Sequence, residues 1–272
     1  MAVVINSNLA ALTARKNLEV SQASLSTSIA RLSSGMRITK AADDAAGLAI
    51  SEKLGAQIRG LGQASRNAAN GISVVATAEG AMVEITNSLS RMRELAVQSS
   101  SGDIGDTERT NLNAEFSALT AEIGRISDST KFNGQALLTG TVSSISLQIG
   151  TGSSEQLGVG LSTVTTGTLS ISAANISTAA SAQAVLTTID TAISSVTTAR
   201  GSLGALQNRL ESVIRNLSVS IENTTAANSR IRDVDVAEET ANYTRNQILV
   251  QAGVSVLSQA NQQPSIALSL LK

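Results

Sequence analysis

Apolar residues recur at intervals of three, four or seven positions over much of this chain, which is the spacing of one face of an α-helix. The first such series consists of Leu18, Leu25, Ile29, Leu32 and Met36. A longer series extends from Leu48 to Leu95, and a third extends from Leu112 to Ile126. Proline, the strongest helix breaker, occurs only at Pro264. The pattern therefore predicts long helices.

The same spacing returns in the second half of the chain, from Leu186 to Leu217. Residues 232–235 then interrupt it with two aspartates, and a last apolar series follows. That series includes Ile248, Val254, Leu257, Leu268 and Leu271. The helices at the two ends each carry an apolar stripe that is too narrow to form a core alone. We expect these stripes to pair with each other and with neighbouring molecules.

Residues 139–178 lack helical spacing and are rich in Gly, Ser and Thr. Residues 146–149 and 157–161 are typical of short strands in a hairpin. The predicted fold is mainly α: an elongated antiparallel helical bundle or coiled coil with a small β-hairpin region and paired N- and C-terminal helices. Three parts are expected. They are residues 1–44 with 236–272, residues 45–138 with 179–235, and an exposed elbow at 139–178 that belongs to the second part.

Composition supports an extended helical protein over a thick globular core. Among 272 residues there is no Trp, and only two Phe and one Tyr. Lys and Arg total 20 against 21 for Asp and Glu, so no basic surplus is present to neutralise nucleic-acid phosphates. We therefore expect no nucleic-acid partner. No run of about 18 apolar residues predicts a membrane span, and no secretory signal peptide is visible, so an exported form needs a dedicated machine.

The sequence offers little catalytic chemistry, because it contains neither His nor Cys. Asp43 and Asp44 precede the long helix, where aspartate caps a helix start. Asp103, Asp106 and Glu108 lack the ligand spacing of a calcium loop, and Asp106 is instead the expected cap of a shorter helix. We predict no enzyme activity, no catalytic residues, no cofactor and no metal site.

Seven segments of the chain carry a resemblance to a known family. They are Asn6-Ser-Asn-Leu-Ala10, Leu32-Ser-Ser-Gly35, Asp43-Asp-Ala-Ala-Gly-Leu-Ala-Ile-Ser51, Arg91-Met-Arg-Glu-Leu-Ala-Val-Gln98, Lys131-Phe-Asn-Gly134, Leu203-Gly-Ala-Leu-Gln-Asn-Arg-Leu210 and Val256-Leu-Ser-Gln-Ala-Asn-Gln262. These segments, followed by residues 268–272, resemble bacterial flagellin in both halves of the chain and in the right order. The chain looks like a minimal flagellin, because the large outer domain of many flagellins is replaced by the short elbow.

The resemblance implies a structural subunit that polymerises into the extracellular filament of the bacterial flagellum and serves swimming motility. Its terminal helices would form the inner tube of the filament. The implied partners are further copies of itself, the filament cap protein, the hook-filament junction protein, an export chaperone and the flagellar type III export apparatus. Leu18, Leu25, Ile29 and Leu32, together with the last apolar series, are the expected assembly stripe. Residues 236–272 would bind the chaperone.

Arg91, Leu95 and Glu115 match family positions that Toll-like receptor 5 of animal hosts recognises. The resemblance therefore implies a receptor patch, and the same residues are also expected to contact neighbouring subunits. Two other functions stay open at this point. One is a hook-filament junction protein, which forms no long filaments, and the other is a secreted binding module, which predicts a folded monomer with ordered ends.

Overall fold

Five long helices form most of the fold. The computed structural model describes residues 7–269, with side chains as far as residue 262. The helices are α1 (Leu9–Ser34), α2 (Ala45–Ser100), α3 (Asp106–Ser129), α4 (Ala179–Arg232) and α5 (Val236–Ser269). The strands are β1 (Lys131–Phe132), β2 (Gln135–Ala136), β3 (Ser144–Gln148) and β4 (Gln156–Gly160). The prediction of a mainly helical chain with a small hairpin region is confirmed.

The chain divides into two compact units. One consists of Met1–Ala56 with Asn223–Lys272, and the other of Gln57–Glu222. The division falls within α2 and α4, whereas the sequence places its boundary at the turns before α2 and after α4. The three predicted parts therefore stay a prediction.

Within residues 57–222, α2 and α4 run antiparallel and share one apolar core. Ion pairs mark their direction, because Glu79 meets Arg200 at 3.6 Å and the later Arg93 meets the earlier Asp190 at 2.7 Å. Successive turns of both helices contribute buried side chains. These include Val75, Ala78, Met82, Ile85, Leu89 and Met92 from α2, and Val185, Ile189, Val196, Leu203 and Leu210 from α4. Alanines interspersed among them, such as Ala78, Ala192 and Ala199, let the two helices pack closely.

Helix α3 adds Phe116 and Ile123 to this core, both fully buried. Its first turn is fastened to the end of α2 by Arg109, whose guanidinium donates to the backbone oxygens of Ser99 and Ser101 at 2.9 and 2.8 Å. These carbonyls lie at the C-terminus of α2, where a cation is favourable. The predicted cap of α3 is wrong by one residue. Asp106 is the first helical residue, because the backbone of Gly105 already has the extended conformation of a cap.

Two antiparallel hairpins lie in the same unit. Strands β1 and β2 pair across the turn at Asn133 and Gly134, both of which have positive φ. Strands β3 and β4 pair with Leu147 opposite Leu157, close to the predicted strands. Leu147 packs at the bare backbone of Gly71, since a Cβ there would lie 2.2 Å from a Leu147 methyl carbon. The elbow is thus anchored to α2 by a close approach that requires glycine.

The turns of the first unit follow predicted capping signals. Asp44 accepts a hydrogen bond from the backbone N–H of Gly47 at 2.9 Å, which confirms it as a cap of α2. Asp235 accepts from the N–H of Ala237 at 2.9 Å and starts α5 in the same way. Helix α1 ends earlier than the spacing predicts. Gly35 takes the left-handed conformation, with φ of 70°, so Met36 lies beyond the helix.

No helix between residues 7 and 269 combines the length and apolarity that a membrane crossing needs.

Candidate functional site

Helices α1 and α5 form an antiparallel pair. The side-chain amide of Asn8, at the start of α1, donates to the backbone oxygen of Ala260 at 2.7 Å. At the other end of α1, Arg31 lies 3.7 Å from the carboxylate of Glu239 in the first turn of α5. These two contacts confirm the predicted pairing of the terminal helices.

The contact between α1 and α5 follows a heptad pattern. Side chains that are buried or half-buried alternate at intervals of three and four on both helices, as in a coiled coil. We call them the α1–α5 seam. Its members are Ala11, Ala14, Leu18, Ser21, Leu25, Ser28 and Leu32 on α1, and Glu239, Tyr243, Asn246, Val250, Gly253, Leu257 and Ala260 on α5.

The seam is poor in large apolar side chains. Only five of its fourteen members are large aliphatic residues, and both Ser28 and Glu239 are buried. At Gly253 the two helices come close, because a Cβ there would lie 3.2 Å from a methyl carbon of Leu18. A seam of this kind removes little apolar surface from water, so it contributes less stability than a leucine-rich coiled coil of equal length.

Large apolar side chains on the same two helices remain exposed. We call them the exposed apolar set. They are Leu9, Leu12, Val20 and Ile29 on α1, and Val236, Ile248, Leu249, Val254 and Val256 on α5. Leu9 and Leu12 are 76% and 70% exposed, and Ile248 is 60% exposed. Such a concentration on one helix pair is typical of a surface that another molecule covers.

The predicted assembly stripe therefore separates into two surfaces. Leu18, Leu25, Leu32 and Leu257 belong to the α1–α5 seam and are half-buried within the chain itself. Ile29, Ile248 and Val254 belong to the exposed apolar set. The side chains of Leu268 and Leu271 lie outside the described residues. The role of the stripe in assembly and in chaperone binding stays a prediction.

Several members of the exposed apolar set were missed by the sequence reasoning. Leu9, Leu12 and Val20 are three such residues on α1, and Leu249 and Val256 are two on α5. They were missed because a search at intervals of three and four finds one face of a helix, and these residues lie off that face. A signal was nevertheless present, since each of them interrupts an otherwise polar helix surface.

The patch predicted around Arg91 is an exposed network of charges. The guanidinium of Arg91 donates to Glu115 on α3 and to Glu94 one turn along α2, each at 2.9 Å. These hydrogen bonds, with that to Glu115 the stronger cause, raise the pKa of Arg91. Leu95 is 1% exposed and packs in the core beneath. The accessible surface at this place therefore consists of the charged residues without the leucine side chain.

The conspicuous aspartates have local structural partners. One carboxylate oxygen of Asp43 accepts hydrogen bonds from the backbone N–H groups of Lys40 and Thr39, at 2.9 and 3.1 Å, and from the Thr39 hydroxyl at 3.0 Å. These bonds, the one to Lys40 first, lower the pKa of Asp43. Within the described residues, no cluster of three or more acidic side chains is arranged to hold a metal ion.

Comparison with known proteins places both halves of the chain in one family. The model of the bacterial flagellin N-terminal helical region matches residues 5–143, and that of the bacterial flagellin C-terminal helical region matches residues 186–271. The segment between them contains most of the predicted elbow. The first matched region includes α1, α2 and α3, and the second includes most of α4 and all of α5.

Full-length relatives agree with these matches. Flagellin of Halalkalibacterium halodurans is 47% identical over 272 residues, an alignment that covers 99% of this chain and 100% of the relative. The flagellar filament 33 kDa core protein of Treponema phagedenis is 42% identical, with 99% and 100% covered. The crystal structure of Bacillus cereus flagellin is 30% identical and superposes with a TM-score of 0.52, covering 60% of this chain and 94% of that one. The chain belongs to the bacterial flagellin family, in a minimal form without a large outer domain.

Proposed function

We propose that this chain is the structural subunit of a bacterial flagellar filament and that it polymerises through the exposed apolar set on α1 and α5. The observation that carries the proposal is the contrast on this helix pair. Its internal seam is small and polar, while Leu9, Leu12 and Ile248 are left largely in water. Full-length relatives named flagellin and flagellar filament core protein support the filament over the hook-filament junction protein or a monomeric binding module.

Burial of the exposed apolar set between subunits favours association. Fully burying one Val, Leu or Ile side chain contributes about 1.5–3 kcal/mol. Several members of the exposed apolar set covered together therefore offset the cost of ordering two molecules. In such a polymer, a surface of one copy meets a different surface on the next copy. Heterologous contacts of this kind generate an open helical polymer when the rotation between copies does not close a ring.

We infer that the filament lies outside the cell and that the chain reaches it through the flagellar type III export apparatus. A subunit with exposed Ile248, Leu249 and Val254 needs cover before it assembles, since such a patch otherwise drives premature association. An export chaperone bound to residues 236–272 supplies that cover. The filament cap and the hook-filament junction protein are the remaining partners that the family suggests.

We assign no catalytic role to the chain. Support comes from the family, whose named members here are filament proteins, and from a sequence without His or Cys. The aspartates that attract attention, Asp43 and Asp44, are engaged in turn and cap hydrogen bonds. A structural role accounts for Asp43 and Asp44 without a reaction.

The charged network around Arg91 supports a second interaction, recognition by Toll-like receptor 5 of a host. Arg91 and Glu115 are exposed and held in one geometry by their mutual hydrogen bond. A rigid, solvent-facing cation of this kind loses little freedom on binding. Leu95 supports the network from below, so its contribution is to the shape of the surface. Contact with neighbouring subunits uses the same residues in the filament.

Seeded polymerisation followed by electron microscopy tests the main proposal. We expect the wild-type chain to form long filaments and the variant Ile248→Gln/Val254→Gln to form few or none, because glutamine keeps the helix but removes apolar surface. Val219→Gln is the matched control, since Val219 is similarly exposed at 56% but lies on α4. Normal filaments from the double variant, or equal loss in the control, would contradict a role for the exposed apolar set.

A further inference from the structure

The turn after α1 brings a methionine sulfur against a cation. Met36 forms an isolated backbone bridge with Asp233, just past the end of α4. The Nε of Arg232 donates to the Sδ of Met36 at 3.1 Å, and the Nη1 of the same side chain donates to Glu52 at 2.9 Å. All of these residues belong to the unit formed by Met1–Ala56 and Asn223–Lys272.

The environment of Met36 differs from that of the other methionines in the described part of the chain. Met82 and Met92 are 0% exposed and lie in the apolar core. Met36 is half-buried, so part of this residue is exposed to solvent. Oxidation of a methionine follows its accessibility, because an oxidant must reach the sulfur lone pair. The core methionines become accessible only when their part of the structure opens.

We propose that Met36 is a site of oxidation to methionine sulfoxide by hydrogen peroxide. The lone pair of Sδ attacks one peroxide oxygen, the O–O bond breaks, and an S–O bond forms. Sulfur loses two electrons, and the departing hydroxide takes up the proton of the transferred hydroxyl group and leaves as water.

Oxidation changes the chemistry of this contact. A thioether is a weak hydrogen-bond acceptor, whereas a sulfoxide oxygen is polar and accepts a charge-assisted bond from a guanidinium. The 3.1 Å between Nε and Sδ leaves no room for an intervening oxygen. Either Met36 or Arg232 must therefore move when the oxygen is added, and movement of Arg232 weakens its hydrogen bond to Glu52.

That movement acts on a tightly connected turn. The backbone N–H of Arg37 donates to the Arg232 oxygen at 2.7 Å, and the N–H of Val234 donates to the Gly35 oxygen at 3.1 Å. These bonds join the chain after α1 to the chain after α4. Sulfoxide formation at Met36 thus disturbs the backbone hydrogen bonds between the chain after α1 and the chain after α4.

Peptide mapping by mass spectrometry after mild peroxide treatment tests the site. In the folded monomer we expect Met36 to be oxidised about tenfold or more faster than Met82 and Met92, because Met36 is partly exposed and the other two are fully buried. In denaturant the three rates should become similar. Equal protection of Met36 and the core methionines in the folded protein overturns the proposal.

The structural consequence is tested with two substitutions. Met36→Gln places a polar oxygen acceptor beside Arg232, as the sulfoxide does, and Met36→Leu keeps an apolar side chain that peroxide cannot oxidise. We expect peroxide treatment of the wild type to lower its melting temperature by on the order of 3 °C, and the untreated Met36→Gln variant to show a similar fall. Peroxide should have no further effect on Met36→Gln and none on Met36→Leu. An equal fall in treated Met36→Leu would place the lesion elsewhere and refute the consequence.

Discussion

The α1–α5 pair and the core formed by residues 57–222 use apolar side chains in opposite ways. In the core, Met82, Ile85 and Leu89 are fully buried against side chains of the same chain. On the helix pair, large apolar residues such as Leu12 and Ile248 are mostly exposed, while serine, glycine and glutamate occupy much of the seam. Both regions are helical, so the difference lies in what each helix face contacts.

The contrast indicates that the two regions have different roles, one in folding and the other in assembly. A core that buries its own apolar residues folds without help from a partner. A helix pair that leaves its larger residues exposed gains most of its stability when another molecule covers them. Removing apolar contacts should therefore affect folding in the core and assembly on the helix pair. Four predictions test this distinction, beginning with the largest expected effect.

Deletion of residues 236–272 should abolish polymerisation and leave the core folded. The deletion removes α5, which is the seam partner of α1 and carries five of the nine members of the exposed apolar set. Helix α1 alone is an amphipathic helix of 26 residues with no partner, so it should lose its helical structure. Electron microscopy after seeding should show no filaments, and amide hydrogen exchange should become fast in α1 while Met82 to Met92 stay protected.

Two results would contradict this separation of assembly from folding. Filaments of normal length from the truncated chain would show that α5 is dispensable for assembly. Loss of protection between Met82 and Met92 would show that the core depends on the terminal helices for its own stability. A full-length chain treated identically is the reference for both measurements.

Ile85→Ala should destabilise the core strongly. Its side chain is 0% exposed, so truncation leaves a cavity as well as losing apolar burial, and such changes cost about 2–5 kcal/mol. Ile50→Ala is a matched control on the same helix, because Ile50 is 51% exposed and should change stability by less than about 0.5 kcal/mol. Urea unfolding followed by circular dichroism measures both. Similar losses of unfolding free energy in the two variants would contradict the distinction between buried and exposed apolar residues.

The helices of this contrast could be predicted from sequence because their periodicity is strong. The break between α4 and α5 was visible in two aspartates, and Asp44 was recognisable as a cap. The burial of Leu95 was also present in the pattern, since it continues the apolar series that begins at Leu48. A resemblance to family receptor positions drew attention to this residue as a contact, although its spacing indicates a core position.

The two surfaces of the terminal helices could not be separated from sequence in the same way. Leu25 and Ile29 are both apolar and one turn apart, yet Leu25 lies in the seam and Ile29 is half exposed. Which of them contacts the partner helix depends on which face of α1 lies against α5. That face includes small and polar positions such as Ser28, and the facing side of α5 includes Gly253. A search for apolar residues passes over such positions.

Replacing a helical glycine by alanine should have opposite effects in the two regions. Gly71→Ala should destabilise the core, because the new Cβ would lie 2.2 Å from a Leu147 methyl carbon and 3.4 Å from one of Leu210. Gly253→Ala should stabilise α5 by up to about 1 kcal/mol, since alanine is the better helix former. The nearest atom to the new Cβ, at 3.2 Å, is a methyl carbon of Leu18. Leu18 is half-buried, and the end of its flexible side chain can shift by a few tenths of an ångström.

Thermal unfolding of the two variants beside the wild type checks this pair. Gly71→Ala is expected to lower the melting temperature, and Gly253→Ala to keep it or raise it slightly. A fall for Gly253→Ala as large as that for Gly71→Ala would mean that the seam is packed as tightly as the core. In that event the small side chains of the seam would be a requirement for close packing and not a sign of weak pairing.

The smallest effect concerns the turn before α2 and its dependence on pH. Hydrogen bonds from Lys40 and Thr39 favour the ionised form of Asp43, which lowers its pKa below the ordinary value of 3.8. The folded state therefore binds a proton at Asp43 less readily than the unfolded state does. The resulting stabilisation is fully present above pH 3.8, and it is lost as the pH falls through the lower pKa of the folded protein.

Carbon-13 NMR of the Asp43 carboxyl group, followed from pH 6 downwards, measures this pKa directly. We expect its midpoint below 3.8, and we expect Thr39→Ala to move the midpoint upwards because one of the three hydrogen bonds is removed. Asp43→Asn is the control for unfolding experiments, since its amide oxygen accepts the same bonds but does not titrate. A midpoint at or above 3.8 would show that the turn is open in solution. The hydrogen bonds from Thr39 and Lys40 to Asp43 would then contribute no pH-dependent stability to the folded protein.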